Sequence, residues 1–223
     1  MTATDRRGAI LQAAARLFEH YGYAKTTMAD VAREAQIGVG TVYLEFESKE
    51  AIVQELSLGA HAGVLDAMRA ADRGTDWAAR ITSVLMARTE CFLRLRSKGQ
   101  HACELLHKRT EGVRVATQSF HRAEHALFVS LLDQGVAAGA FGRVDSARTA
   151  TLIQRAFSSL SPPWIFGDDE TGPSSDDTKQ KLAIASDLCR LLLDGIRARE
   201  PSRSTKARRA SSAKARARRN RLG

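Results

Sequence analysis

The sequence predicts an all-α fold. Three observations point there. Prolines number only four, and Pro162, Pro163 and Pro173 crowd one stretch. Apolar residues recur at helical spacing through most of the chain, with no valine- or isoleucine-rich alternation of the kind a half-buried strand shows. Residues 27–46, TMADVAREAQIGVGTVYLEF, read as two short helices with a tight connection, the spacing of a helix-turn-helix.

In chain order, residues 6–20 form the first helix. Ile10, Ala14, Leu17, Phe18 and Tyr21 mark its buried face, and Gly22 ends it. Thr27, followed three residues later by Asp30, is a capping pattern that starts the next helix. Met28, Val31, Ala32 and Ala35 form its apolar face, with Ala32 suited to a close helix crossing. Gln36, Ile37 and Gly38 break the run. A second short helix starts near Val39 with Val42, Tyr43 and Phe46, and Ile37 and Val42 suit the small core beneath the turn. Ser48 caps a longer helix to about residue 71, with Gly59 and Gly63 as weak points.

The remainder reads as a series of helices. Residues 76–97 carry Ile81, Leu85, Phe92 and Leu95, and a short helix covers 101–109. Residues 112–138 carry Val113, Phe120, Leu127, Phe128, Leu131 and Leu132, and the run from Gly139 to Gly142 stops that helix. Asp145 caps the next one, with Leu152, Ala156, Phe157 and Leu160 on its face, and Pro162 and Pro163 end or kink it. An acidic loop spans 168–177. The last helix, 178–199, is apolar at Leu182, Ala185, Leu188, Leu192 and Ile196.

At 223 residues and 43 % hydrophobic composition the chain holds one or two domains with a sizeable core. The sequence has no apolar run of membrane-spanning length and no secretory signal at its start. Three scattered cysteines, Cys91, Cys103 and Cys189, suit a reducing cytoplasm better than a disulfide framework. No cofactor is expected.

Charge divides the chain sharply. From Arg197 onward eleven Lys and Arg stand against one Glu, whereas the whole chain is only +9. With almost no apolar residues this tail is expected to be disordered. Residues 1–56 carry six Lys and Arg against eight Asp and Glu, so any attraction of that region for phosphate rests on local placement. A mobile basic tail would supply counterion release without reading sequence.

One pattern extends over about fifty residues: Arg7, Ile10, Leu11, Ala13, Ala14, Leu17 and Phe18, then Gly22, Tyr23, Thr26 and Thr27, then Val31, Ala32 and Ala35, then Gly40, Thr41, Tyr43, Phe46, Lys49, Glu50 and Ile52. Its order and spacing resemble the TetR/AcrR-type helix-turn-helix regulators. The resemblance covers the first quarter of the chain. It implies a helix-turn-helix DNA-binding domain over 1–56 and a helical effector-binding and dimerisation domain over 57–197, leaving 198–223 as the basic tail. It further implies a homodimer built from about 145–163 and 178–197, a pseudo-palindromic double-stranded DNA operator and a small-molecule effector. The helix after Ser48 would link the two domains.

The start of a recognition helix in the major groove meets base edges first. Here that start holds Gly38, Val39, Gly40, Thr41 and Val42. Val39 and Thr41 can touch thymine methyls, and Gly40 lets the backbone approach closely or serves the turn. By resemblance, Thr26, Thr27, Tyr43 and Lys49 bind phosphates, and Arg33 is a candidate for a phosphate or a base edge. Two positions depart from the family pattern. Gln36 stands where glycine is usual, at a turn that calls for positive φ. Glu45 stands where an aromatic or histidine contacts phosphate, so it turns away or pairs with a nearby base.

For an effector, Trp77, Met86, Phe92, Cys103, Leu106, His107, Phe120, His121, Phe128 and Trp164 are candidate cavity residues, and mostly apolar ones. His121, Glu124 and His125 also spell H-x-x-E-H, a zinc-peptidase spacing, with His101, Cys103 and His107 as a loose metal set. Three readings follow: a ligand-responsive DNA-binding repressor, an architectural DNA-binding protein dominated by its tail, and a metal-dependent enzyme.

Overall fold

A computed structural model describes residues 3–96, 105–106, 110–166 and 175–197. Among them the regular structure is helical. In order come α1 (Ala3–Tyr21), α2 (Met28–Glu34), α3 (Val39–Glu45), α4 (Lys49–Ala71), α5 (Trp77–Arg96), α6 (Glu111–Ala137), α7 (Ser146–Ala156) and α8 (Ser175–Ile196), with 3-10 turns at Ser158–Leu160 and Trp164–Phe166.

Helix ends fall where local chemistry puts them. Gly22, at φ +80°, stops α1, and its amide donates to the Phe18 carbonyl at 3.0 Å. Ser48 caps α4 by accepting from the Ala51 amide at 3.1 Å, and α4 runs on through Gly59 and Gly63 without a break. Thr110 caps α6. Gly139, at φ +75°, closes α6 as the amides of Gly139 and Ala140 turn back to Val136 and Gly135. Asp145 caps α7 by accepting from the Arg148 amide at 2.9 Å.

The last two helices depart from expectation, one in its face and the other only in where it starts. α7 ends at Ala156, short of the prolines, and the chain continues as 3-10 turns. Phe157 and Leu160 are buried as expected, but Leu152 is 55 % exposed, and Ala150 and Ile153 turn inward in its place. The helix is rotated from the expected register because Ile153 rather than Leu152 stands at the 3- and 4-residue spacing from Ala150 and Phe157. α8 begins at Ser175, three residues early, where Asp176 and Asp177 favour a helix start. The expected helix over 101–109 lies mostly outside the described residues, as do most of the acidic loop and the tail from 198.

Two cores result. Ile10, Phe18, Val31, Ala32, Val42, Phe46, Ile52 and Val53 unite α1–α3 with the start of α4, and Val113 of α6 is buried among them. The larger core joins the rest of α4 with α5, α6, α7 and α8 around Met68, Leu85, Phe92, Phe128, Phe157 and Leu193. α4 lies along both α5 and α6, α7 packs on α6, and α8 packs on α5. One continuous helix, α4, therefore belongs to both cores.

Candidate nucleic-acid interface and effector core

The capping box at α2 is complete. The Asp30 amide donates to Thr27 Oγ1 at 3.2 Å, and the Thr27 amide donates back to Asp30 Oδ2 at 3.0 Å. Two backbone donors at a short helix start are thereby satisfied, which fixes the angle at which α2 meets the turn. At that turn Gln36 adopts φ +58°, as its position required. An L side chain there costs about 1 kcal/mol.

α3 presents the expected groove-facing start, with two changes. Val39 is 44 % exposed, Gly40 is exposed and Thr41 half-buried. Gly38 is the N-cap and offers no side-chain acceptor, so the first amides of α3 are not capped from within. Val42 is fully buried beneath the turn. It is therefore corrected from base contact to core. Leu44 was not among the sequence candidates, yet it is 88 % exposed beside Tyr43, itself 54 % exposed. A large apolar side chain so fully in solvent on a recognition helix was the available signal.

The phosphate candidates separate as well. Thr27 is exposed, whereas Thr26 is 2 % exposed and its hydroxyl donates to the Gly22 carbonyl at 2.9 Å. Thr26 is thus corrected to a structural hydroxyl. Lys49 donates to the carbonyls of Tyr23 and Thr26, both at 2.7 Å, with its ammonium 4.2 Å from the Tyr23 ring centre. Arg33 is exposed and pairs with Asp30 one turn away. Arg7 pairs with Glu55 and Arg16 with Glu34. Glu45 turns inward from the groove side to Arg6 at 3.4 Å, while its carbonyl accepts from Arg7 at 2.7 Å. The head's arginines are thus neutralised by its own carboxylates. Lys25, exposed, borders a groove with Tyr21, Asp30 and Arg33.

Comparison with known proteins places this geometry. The family model for bacterial regulatory proteins of the tetR family matches residues 10–56, which span α1 to the first turns of α4. The chain is 26 % identical over 165 residues to the uncharacterized HTH-type transcriptional regulator YhgD of Bacillus subtilis, covering 72 % of this chain and 84 % of that one. It is 29 % identical to the HTH-type transcriptional repressor KstR2 of Mycobacterium tuberculosis, over 61 % of this chain and 70 % of that one.

The head, residues 10–56, resembles that of the TetR family.

Solved structures agree on the fold. A TetR/AcrR-family regulator from Thermobifida fusca superposes with a TM-score of 0.64 at 25 % identity, over 86 % of this chain and 99 % of that one. A TetR-family protein from Mesorhizobium loti gives 0.70 at 17 % identity, over 88 % and 99 %. This chain is accordingly a DNA-binding transcriptional regulator, and the relatives it matches are named as regulators. No helix among the described residues is long and apolar enough to cross a membrane.

In this regulator the effector residues expected from the sequence do not form one set. Phe92, Phe120 and Phe128 are buried together in the second core, with Leu106 also buried and Met86 against its edge. Phe92 meets Phe120 edge-on at 5.9 Å, and Phe120 lies 5.0 Å from the buried His61 ring. Trp77 sits at the far rim under the Arg80 guanidinium, 3.9 Å from its ring. Trp164 is 71 % exposed and is corrected to a surface residue. Cys103, His107 and His101 lie outside the described residues.

The H-x-x-E-H pattern resolves into an ion-pair network. Glu124 is 1 % exposed and pairs with Arg88. Arg88 also donates to the Leu160 carbonyl at 3.1 Å and to Ser161 Oγ at 2.5 Å. Gln154 donates to the other Glu124 oxygen at 2.8 Å. His121 Nδ1 lies 3.5 Å from Glu124, while His125 Nε2 turns to Ala147 and Thr151 of α7. The two histidines therefore diverge, and the carboxylate is already saturated. That geometry gives the metal-dependent enzyme reading no support from these three residues.

Proposed function

We propose that this regulator is a homodimeric repressor that occupies a pseudo-palindromic DNA operator and leaves it when a small-molecule effector binds the second domain. In this reading residues 1–56 form the DNA-reading head, 57–197 the effector and dimer domain, and 198–223 a basic tail that adds sequence-independent affinity. The observation that carries it is α3, which holds Val39, Gly40, Thr41, Tyr43 and Leu44 outward over a core closed by Val42. Val39, Thr41 and Leu44 would touch thymine methyls, and Thr27, Tyr43 and Arg33 would hold phosphates. Lys49 would act there mainly by fixing the loop that carries Thr26.

The dimer is supported by apolar residues turned outward on the last two helices. Leu152 of α7 and Ile184 and Leu191 of α8 are 55, 42 and 73 % exposed. Ile184, Leu188 and Leu191 recur at helical spacing, a stripe that a second copy would cover. The effector would be mostly apolar, to suit Phe92, Phe120 and Phe128. Ser57 Oγ is buried with no hydrogen-bond partner among the described residues, and His61 lies one turn on. Both favour an effector with one polar group.

The basic tail is favoured by the head's internal ion pairs. With its arginines engaged by carboxylates, the head releases few counterions, so a charged segment elsewhere must supply the long-range attraction. The deciding experiment selects genomic fragments at physiological salt with the full chain and with a chain ending at Arg197. One enriched palindrome, retained by both, with a steeper salt dependence for the full chain, is expected. Diffuse enrichment that disappears with the tail would replace the repressor by an architectural DNA-binding protein.

A further inference from the structure

Two residues at the start of α4 grip one tyrosine from opposite ends. Lys49 holds the Tyr23 carbonyl and ring, and through the Thr26 carbonyl it holds the residue just before the α2 cap. Glu50 accepts the Tyr23 hydroxyl on one carboxylate oxygen at 2.8 Å. Its other oxygen accepts the Gly112 amide at 2.6 Å. That amide is in the first turn of α6, where backbone donors have no partner inside their own helix. A single carboxylate thus joins the loop before α2 to the helix whose middle turns carry Phe120 and Glu124.

A second observation shows that α6 is seated here with little slack. A Cβ on Gly112 would stand 2.7 Å from Gln54 Cβ and 3.0 Å from the Glu50 carbonyl oxygen. Val113, next in sequence, is 2 % exposed inside the head core. Only glycine allows α6 this close to α4. At 27 residues α6 is a rod of about 40 Å, so its first turn registers what happens around its middle.

We infer that Glu50 is the positioning residue through which a displacement of α6 reaches the DNA-reading helices. The inference rests on the regulator reading and adds the route. A shift of α6 by about 1 Å takes the Gly112 amide out of hydrogen-bond range unless the carboxylate follows. If it follows, it draws the Tyr23 hydroxyl, and with it the loop that sets the start of α2. If it does not, the Gly112 amide loses its acceptor while Tyr23 keeps Glu50, and the link is cut. While the carboxylate bridges both groups, the angle of α2 and α3 depends on where α6 stands. Packing of Val113 alone would resist separation of the two cores without specifying that angle, because apolar contact is non-directional and a two-pronged hydrogen bond is not.

The test is hydrogen exchange on the full chain without DNA, so that it stands apart from the fragment selection above. Gln154→Ala disturbs α6 from its far side by removing the hydrogen bonds given to Glu124 and to the His121 carbonyl. Phe120→Leu takes its place if α6 exchange does not respond. In the wild-type background the disturbance is expected to speed exchange of α2 and α3 amides roughly threefold or more. In a Glu50→Ala background it is expected to speed exchange in α6 alone. Tyr23→Phe, which cuts only the head-side bond, replaces Glu50→Ala if that variant does not fold, and Glu50→Gln should restore part of the response. Equal responses of α2 and α3 with and without the carboxylate would overturn the inference. So would no response in either background while α6 itself loosens. A failed fragment selection would remove the regulator reading and leave this mechanical link intact.

Discussion

Arg88 on α5 and Glu124 on α6 form an ion pair with 2 % and 1 % of their side chains exposed. Burial raises the Glu124 carboxyl, but the Arg88 charge and the hydrogen bonds from His121, Gln154 and Arg88 outweigh it and hold it at about 2. A pair so deep tolerates loss of both partners better than loss of one. Glu124→Gln and Arg88→Met should each cost about 3–5 kcal/mol in urea unfolding. The double replacement Arg88→Met with Glu124→Leu should recover much of that.

The same carboxylate gives an acid signature. The unfolded chain takes up its proton near the ordinary glutamate range, whereas the native chain resists until about pH 2. Its contribution to stability is therefore complete above the ordinary range and is lost as pH falls toward 2. The thermal midpoint of the wild type should drop across that window, and the Glu124→Gln midpoint should drop less.

His61 predicts a separate, milder window. Burial lowers its proton affinity and the nearby His121 adds to this, while the Ser57 carbonyl at 2.9 Å and Glu124 oppose it. The neutral ring is thus the native form. The unfolded chain binds the proton first, so the stability from this site is complete above about pH 6.5 and declines below it. His61→Phe keeps an aromatic ring beside Phe120 and should flatten the midpoint between pH 7.5 and 5.5. An unchanged slope in that range would place the titration elsewhere.

Gln36 offers a gain. Its φ of +58° suits glycine, and the side chain is exposed. Gln36→Gly should raise stability by up to about 1 kcal/mol, seen as a higher denaturant midpoint with an unchanged slope.

The outward stripe of α8 separates assembly from folding. Leu191→Glu, at a position 73 % exposed, should yield a monomer by sedimentation with unaltered helix content. Leu193→Glu, two residues on and 3 % exposed, should unfold the chain instead. A Leu191→Glu protein that still sediments as the wild type does would move the dimer face off α8.

Local chemistry made much of this protein legible from its residues alone. Thr27 with Asp30, Ser48, Asp145, Gly22 and Gly139 each mark a helix end because capping and positive φ are decided within a few residues. The strained turn at Gln36 followed from the same short range, whereas Glu45 found its partner in Arg6, far along the chain. What the residue order did not carry was direction in three dimensions. Leu152 and Ile153 are adjacent and equally apolar, and only the position of α6 decides which one is buried. Val42 and Leu44 straddle an exposed tyrosine on one short helix, and only the core beneath separates a filler from a contact. His121, Glu124 and His125 keep a metal-binding spacing until Arg88, thirty-six residues earlier, claims the carboxylate. Glu50 reads as a helix-start residue until Tyr23 and Gly112 close on it from both sides. Caps and turns depend on neighbours along the chain, whereas ion pairs, faces and couplings depend on neighbours across it, and those exist only once the helices have packed.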